Sequence, residues 1–236
     1  LERQTPDPGM EDDAIGYSLT EMANVGERML RDIGLTENLA RLVIFTGHGS
    51  ICLNNPHRAA YDCGACSGGQ GGPNARALAS FLNDPRVREV LATRGLIIPK
   101  DTWFLGVQHN TGLDAFTYFN LDLMPSSHRH DFESVRKTLE ETCERNAHER
   151  CRRFFSAPLD LTPYEAHRHV EERCEDLAQT RPEFGNASNA LCFVGRRSRV
   201  TNLYMDRRCF MHSYDITSDD AESTILARIL APVVPV

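Results

Sequence analysis

His48, Cys63 and Cys66 are the residues of this chain whose types and spacing are best suited to chemistry. They lie in a glycine-rich stretch that runs from Gly47-His48-Gly49-Ser50 to Asp62-Cys63-Gly64-Ala65-Cys66 and on through Gly68 to Gly72. Imidazole nitrogen and cysteine thiolate are the donors that zinc prefers, and a catalytic zinc keeps one position open for water. Fourteen residues separate His48 from Cys63, so a ligand pair here needs a long loop whose ends return to one place. The same residues also read, without any metal, as a strand-end histidine and a core thiol. Cys63 and Cys66 form a Cys-x-x-Cys, but a redox pair of that kind normally opens a helix, and a closed zinc ribbon needs a second copy that the chain lacks. The glycines match neither a P-loop nor a dinucleotide fingerprint. Their expected role is to let the backbone turn with positive φ beside the ligands.

The elements that must position these residues follow from hydrophobic pattern. Leu42-Val43-Ile44-Phe45 is an apolar run that reads as a buried strand ending near Thr46. In open α/β sheets, sites sit beyond the carboxyl ends of strands, which is where His48 falls. Thr102 to Val107 reads as a second strand and leads into Gln108-His109-Asn110-Thr111. If the two strands are neighbours, His109 faces the same crevice, either as a contact behind the ligands or to substrate, or as a satisfied strand-end histidine.

Helices are expected around these strands. Ser18 and Glu21 have capping-box spacing ahead of a stripe of Met22, Val25, Met29, Leu30 and Ile33, closed by Gly34. Pro73 and Asp84-Pro85 start two more, burying Leu78, Phe81 and Leu82, then Val87, Val90 and Leu91. A long charged helix spans Ser126 to about Phe154, and Thr162-Pro163-Tyr164-Glu165 caps the next. His128 and His130 read as surface, and His167 and His169, two apart on a helix, make a poor ligand pair. Further strands are expected near Ala190 to Val194 and Cys209 to Tyr214, with a short final helix through Leu230. The expected layout is a flexible lead-in over 1–14, an α/β segment over 15–125 carrying the His/Cys half-site, a helical insertion over 126–185 and a C-terminal α/β segment over 186–236.

Composition narrows the function classes. A net charge of −7 argues against nucleic acid as a partner, because backbone binding needs a clustered basic surface. Eight cysteines spread along a mid-sized charged chain read as reduced thiols rather than a disulfide framework. No stretch approaches the roughly 18 to 20 apolar residues of a membrane helix, so any membrane association is expected to be peripheral or through a partner. The chain starts without Met and stops in an apolar run, which reads as a fragment.

With those residues in view, the chain resembles the C-terminal part of the DabA family, the large subunit of an inorganic-carbon accumulation complex. The resemblance rests on Gly47-His48-Gly49-Ser50, Asn54-Asn55-Pro56, Asp62-Cys63-Gly64-Ala65-Cys66, Gly71 to Arg76, Phe104-Leu105-Gly106 and His109-Asn110-Thr111. It continues through Asn146 to Phe154, Asn189 to Cys192, Gly195-Arg196-Arg197 and Asp206-Arg207-Arg208. The family is similar to β-carbonic anhydrases around its zinc. That likeness implies an α/β fold with a mostly parallel sheet and helical insertions, incomplete here because the upstream half is absent.

It also implies that His48 and Cys63 are two of four Zn2+ ligands. The other two, a Cys and an Asp in a Cys-x-Asp-x-Arg motif, would lie upstream, together with the Arg that gates the Asp, so no catalytic residue is assigned within this chain. Cys174-Glu175-Asp176 is the one Cys-x-Asp present, and it lacks the Arg. The implied activity is carbonic-anhydrase-like hydration of CO2 to bicarbonate. It would be coupled through a membrane subunit of the DAB complex, related to proton-translocating complex I subunits, on the cytoplasmic side of the inner membrane. Two rivals use the same residues: a zinc-dependent hydrolase with His109 in its site, and a non-catalytic scaffold whose Cys63 and Cys66 stabilise a loop that docks a membrane partner. Whether Cys66 or His109 contributes to the metal site stays open.

Overall fold

The computed structural model describes residues 2–53, 62, 68–178, 189–206, 208–231 and 233. Cys63, Cys66, the Asn54-Asn55-Pro56 motif, Arg207 and most of the apolar C-terminal run lie outside them. The chain forms two compact units, one of Leu1–Val43, Ala77–Phe104 and Asn186–Val236, the other of Ile44–Arg76 and Leu105–Gly185. Among the described residues, no helix is long and apolar enough to cross a membrane.

In the first unit α1 (Leu19–Asp32) starts at the expected capping box: the Ser18 side chain accepts from the Glu21 N–H, and Glu21 accepts from the Ser18 N–H. A cap of this kind contributes about 1 kcal/mol. The buried face differs from the expected stripe. Met22, Ala23, Gly26 and Leu30 are buried, whereas Val25 and Met29 are each 40% exposed. Gly26 is the physical reason, since a Cβ there would lie 2.9 Å from Leu82 Cδ2, and small residues let α1 come closest along the Ala23–Gly26 side. Helix α2 (Gly72–Asn83) supplies Leu82, and α3 (Pro85–Thr93) buries Val87 and Leu91 behind an Asp84 cap. Asn83 at the end of α2 bonds both backbone groups of Phe104, accepting from its N–H at 3.0 Å and donating to its carbonyl at 2.7 Å.

Strands β1 (Leu42–Gly49), β2 (Trp103–Asn110) and β3 (Ala115–Tyr118) form one sheet in that order. The Trp103 N–H donates to the Arg41 carbonyl and the Thr111 N–H to the Gly49 carbonyl. The offset between partners is the same at both ends, so β1 and β2 run parallel without a slip. Strand β3 is antiparallel to β2, with His109 opposite Phe116. The expectation of a mostly parallel sheet therefore holds only in part. The fold is mixed α/β with small sheets, and the antiparallel β3 was not anticipated. Its four residues, half of them exposed, carry too short an alternation to register in sequence.

The second unit continues with α4 (Arg129–Cys151) and α5 (Pro163–Glu175), the latter opened by the expected Thr162/Glu165 capping box. They pack through Ala147, Cys151, Ala166 and Val170, with Phe154 and Leu161 against the cluster. His128, expected at the surface, is 5% exposed, because a 3-10 turn at Ser126–His128 precedes α4 and turns its ring inward. In the first unit, β4 (Leu191–Gly195) and β5 (Cys209–Ser213) pair in parallel, and α6 (Thr224–Leu230) follows.

Candidate functional site at the ends of β1 and β2

His48 stands one residue from the end of β1 with its side chain exposed. The chain beyond it is tied down from both sides. Ser50 is buried and donates its N–H to the Asp62 carboxylate at 2.8 Å. Asp62, the residue before Cys63, is 5% exposed and also accepts from Gln70 Nε2 at 3.4 Å. Gln70 in turn accepts from Gln108 Nε2 at 3.2 Å. On the far side of Cys66, the Gly71 N–H donates to the His48 carbonyl at 2.6 Å. Both flanks of the 63–67 segment are thus held at the end of β1. The approach is so close that a Cβ on Gly47 would lie 2.2 Å from the Gly71 carbonyl carbon. Of the glycines expected to carry positive φ, Gly68 does so, at φ 80°.

The parallel register places residue 109 beside residue 48, because Thr111 sits opposite Ser50 in the ladder. Aligned residues on neighbouring strands project from the same face at a spacing of roughly 4.8 Å. His48 and His109 therefore share a face, which answers the conditional expectation drawn from sequence. His109 is held rather than loose: its Nε2 lies 3.2 Å from Asp114 Oδ1 and its ring stacks on Phe116 at 4.8 Å between centroids.

Asp114 is the hub behind it. It is 1% exposed and adopts left-handed backbone, φ 52°, in the turn between β2 and β3. Its carboxylate accepts from Arg150 Nη1 at 2.5 Å and from Asn146 Nδ2 at 2.7 Å, both from α4. Burial pushes its pKa up, but the His109 hydrogen bond, the Arg150 charge and the Asn146 amide outweigh that and hold it below the usual carboxylate range. The same Arg150 donates to the carbonyls of Thr111 and Gly112. From α5, His167 Nε2 lies 3.0 Å from the Leu113 carbonyl, and Cys174 Sγ donates to the Gly112 carbonyl at 3.0 Å. Residues of α4 and α5 thus clamp the turn that follows His109.

Sequence reasoning gave Asp62, Asp114, Asn146 and Arg150 no role. Asn146 and Arg150 had a usable signal, four residues apart and so on one face of α4. Asp114 had none, because its partners are distant in sequence. Burial pushes the Cys143 thiol up to about 12 and raises that of Cys151, which disfavours the thiolate form of both. Among the described residues, no three His, Cys, Asp or Glu side chains gather as a metal would require.

Across its whole length, residues 1–236, the chain matches the family model described as probable inorganic carbon transporter subunit DabA. It is 53% identical over 236 residues to a probable inorganic carbon transporter subunit DabA 2 from Rhodopirellula baltica, covering all of this chain and 22% of the relative. Over 233 residues it is 47% identical to a probable DabA subunit from Methylococcus capsulatus, covering 99% of this chain and 21% of that protein. The match to one from Parafrankia sp. is 46% over 222 residues, 94% of this chain and 20% of the relative. The chain thus spans about a fifth of the length of the curated relatives it matches. No solved structure matches it.

Proposed function

This chain belongs to the DabA family of probable inorganic carbon transporter subunits, and from that premise we propose that it supplies half of a zinc site for inorganic carbon, with His48 and Cys63 as ligands. The observation that carries the reading is the pinning of both flanks of the 63–67 segment at the His48 end of β1, through Ser50–Asp62 on one side and Gly71–His48 on the other. Imidazole and thiolate are suitable donors for zinc, and a loop closed at its base is what a pair with fourteen residues between them requires.

Zinc in such a site supplies Lewis acidity that makes water a nucleophile near neutral pH. The chain's own residues do the positioning. Asp62 takes up the buried Ser50 N–H and so fixes the direction in which the backbone leaves His48. Gly47 and Gly71 allow the two backbones to meet. The remaining ligands, the β-carbonic-anhydrase-like fold, hydration of CO2 to bicarbonate, and coupling to a membrane partner at the inner membrane are proposed for a protein of the relatives' full length. The test is Cys63→Ala in such a protein: zinc content and inorganic carbon uptake are expected to fall together, and retention of both would sink the ligand assignment.

A further inference from the structure

We propose that His109 is a substrate-contacting residue of this site, held by Asp114 so that its Nδ1 lone pair accepts a hydrogen bond from the protonated oxygen of bicarbonate. The inference rests on the zinc and bicarbonate reading above and assigns it a residue that the ligand set leaves aside. Four observations converge on it. His109 stands in register beside His48 and shares its face. Its Nε2 is engaged by Asp114 Oδ1 at 3.2 Å, and Asp114 is ion-paired with Arg150 at 2.5 Å. A carboxylate can only accept, so Nε2 carries a proton, and in the neutral ring that the proposal requires the lone pair is left on Nδ1, on the side of the ring away from Asp114. Stacking on Phe116 at 4.8 Å fixes the ring plane, while a quarter of the side chain stays exposed.

A fixed acceptor in this place distinguishes ligands by where they carry hydrogen. Bicarbonate presents one O–H donor as well as acceptor oxygens, whereas carbonate and CO2 present no donor. A neutral imidazole with its lone pair outward therefore favours the protonated anion. Asp114, Asn146 and Arg150 act through His109 and are positioning residues. Arg150 also holds the carbonyls of Thr111 and Gly112, so the turn and the imidazole are set by one side chain.

The test titrates bicarbonate calorimetrically into zinc-loaded protein of the relatives' full length, comparing His109→Phe with His109→Asn and measuring zinc content in each. Phenylalanine keeps the stack on Phe116 and removes the acceptor, so bicarbonate affinity is expected to fall about tenfold with zinc retained. Asparagine returns an acceptor close to the Nδ1 position and is expected to recover most of that loss. A merely structural role gives the opposite order, since Phe packs better than Asn. Equal affinity in the Phe variant and the unaltered protein, or no bicarbonate binding by the unaltered protein, overturns the proposal. Zinc lost from the Phe variant overturns it too, because His109 would then be a ligand. Nitrogen NMR of the unaltered protein gives a check independent of variants: a proton on Nδ1, whether or not Nε2 also carries one, excludes the acceptor role. Retention of zinc by His48→Ala is a separate outcome, which removes the zinc reading and not the His109 geometry.

Discussion

Asp114 is 1% exposed and receives hydrogen bonds from His109, Asn146 and Arg150, so it cannot take up a proton without disturbing all three. Its pKa in the folded state lies below the ordinary aspartate value of about 3.9. A lowered folded pKa means that the unfolded chain binds the proton more readily, so the stabilisation is full above that ordinary value and is lost as pH falls through the folded one. Urea denaturation followed between pH 6 and pH 2 (roughly the span over which aspartates titrate) is expected to show stability declining below about pH 4. Asp114→Asn should flatten that decline and lower stability near neutral pH, because Arg150 is then left buried without its charge partner. An acid limb as steep in the variant as in the unaltered chain would show that Asp114 is not the titrating group. None of this was readable from sequence, where Asp114 is one residue of a turn and its partners lie on a helix after β3. His109 was readable only as a conditional, since its meaning depended on which strands are neighbours.

At the scale of elements, local signals survived into the structure and long-range ones did not. The capping boxes at Ser18/Glu21 and Thr162/Glu165 and the Asp84-Pro85 start hold because every partner lies within one turn. The buried face of α1 shifted because Gly26 permits contact with Leu82, a pairing that no hydrophobic periodicity encodes. The return of the glycine-rich stretch to β1 is likewise a matter of backbone proximity. Gly47 stands where a Cβ would lie 2.2 Å from both the carbon and the oxygen of the Gly71 carbonyl. Gly47→Ala is therefore expected to force the stretch off β1, break the Gly71–His48 hydrogen bond and lower zinc affinity by about tenfold or more. The substitution lies in a strand and leaves the helices' own backbone hydrogen bonds in place, so far-ultraviolet circular dichroism should change little. Unchanged zinc affinity in the variant would mean that the pinned flank does not shape the metal site.

At the scale of the whole molecule, the family was legible from separated motifs in one order, and the mixed α/β class from alternating helices and strands. Sheet topology was only partly legible, because β3 is short and reverses direction after a turn fixed by α4 and α5. The two compact units interleave along the chain. This chain, a fifth of the length of its relatives, is proposed to hold half of a zinc site at the ends of its strands. Zinc content by elemental analysis tests it most directly, measured on this chain and on a protein of the relatives' full length, each with and without His48→Ala. About one zinc per chain is expected in the longer protein, lost with His48→Ala, and little in the shorter one; tight stoichiometric zinc in this chain alone, or zinc that survives His48→Ala, would contradict the half-site.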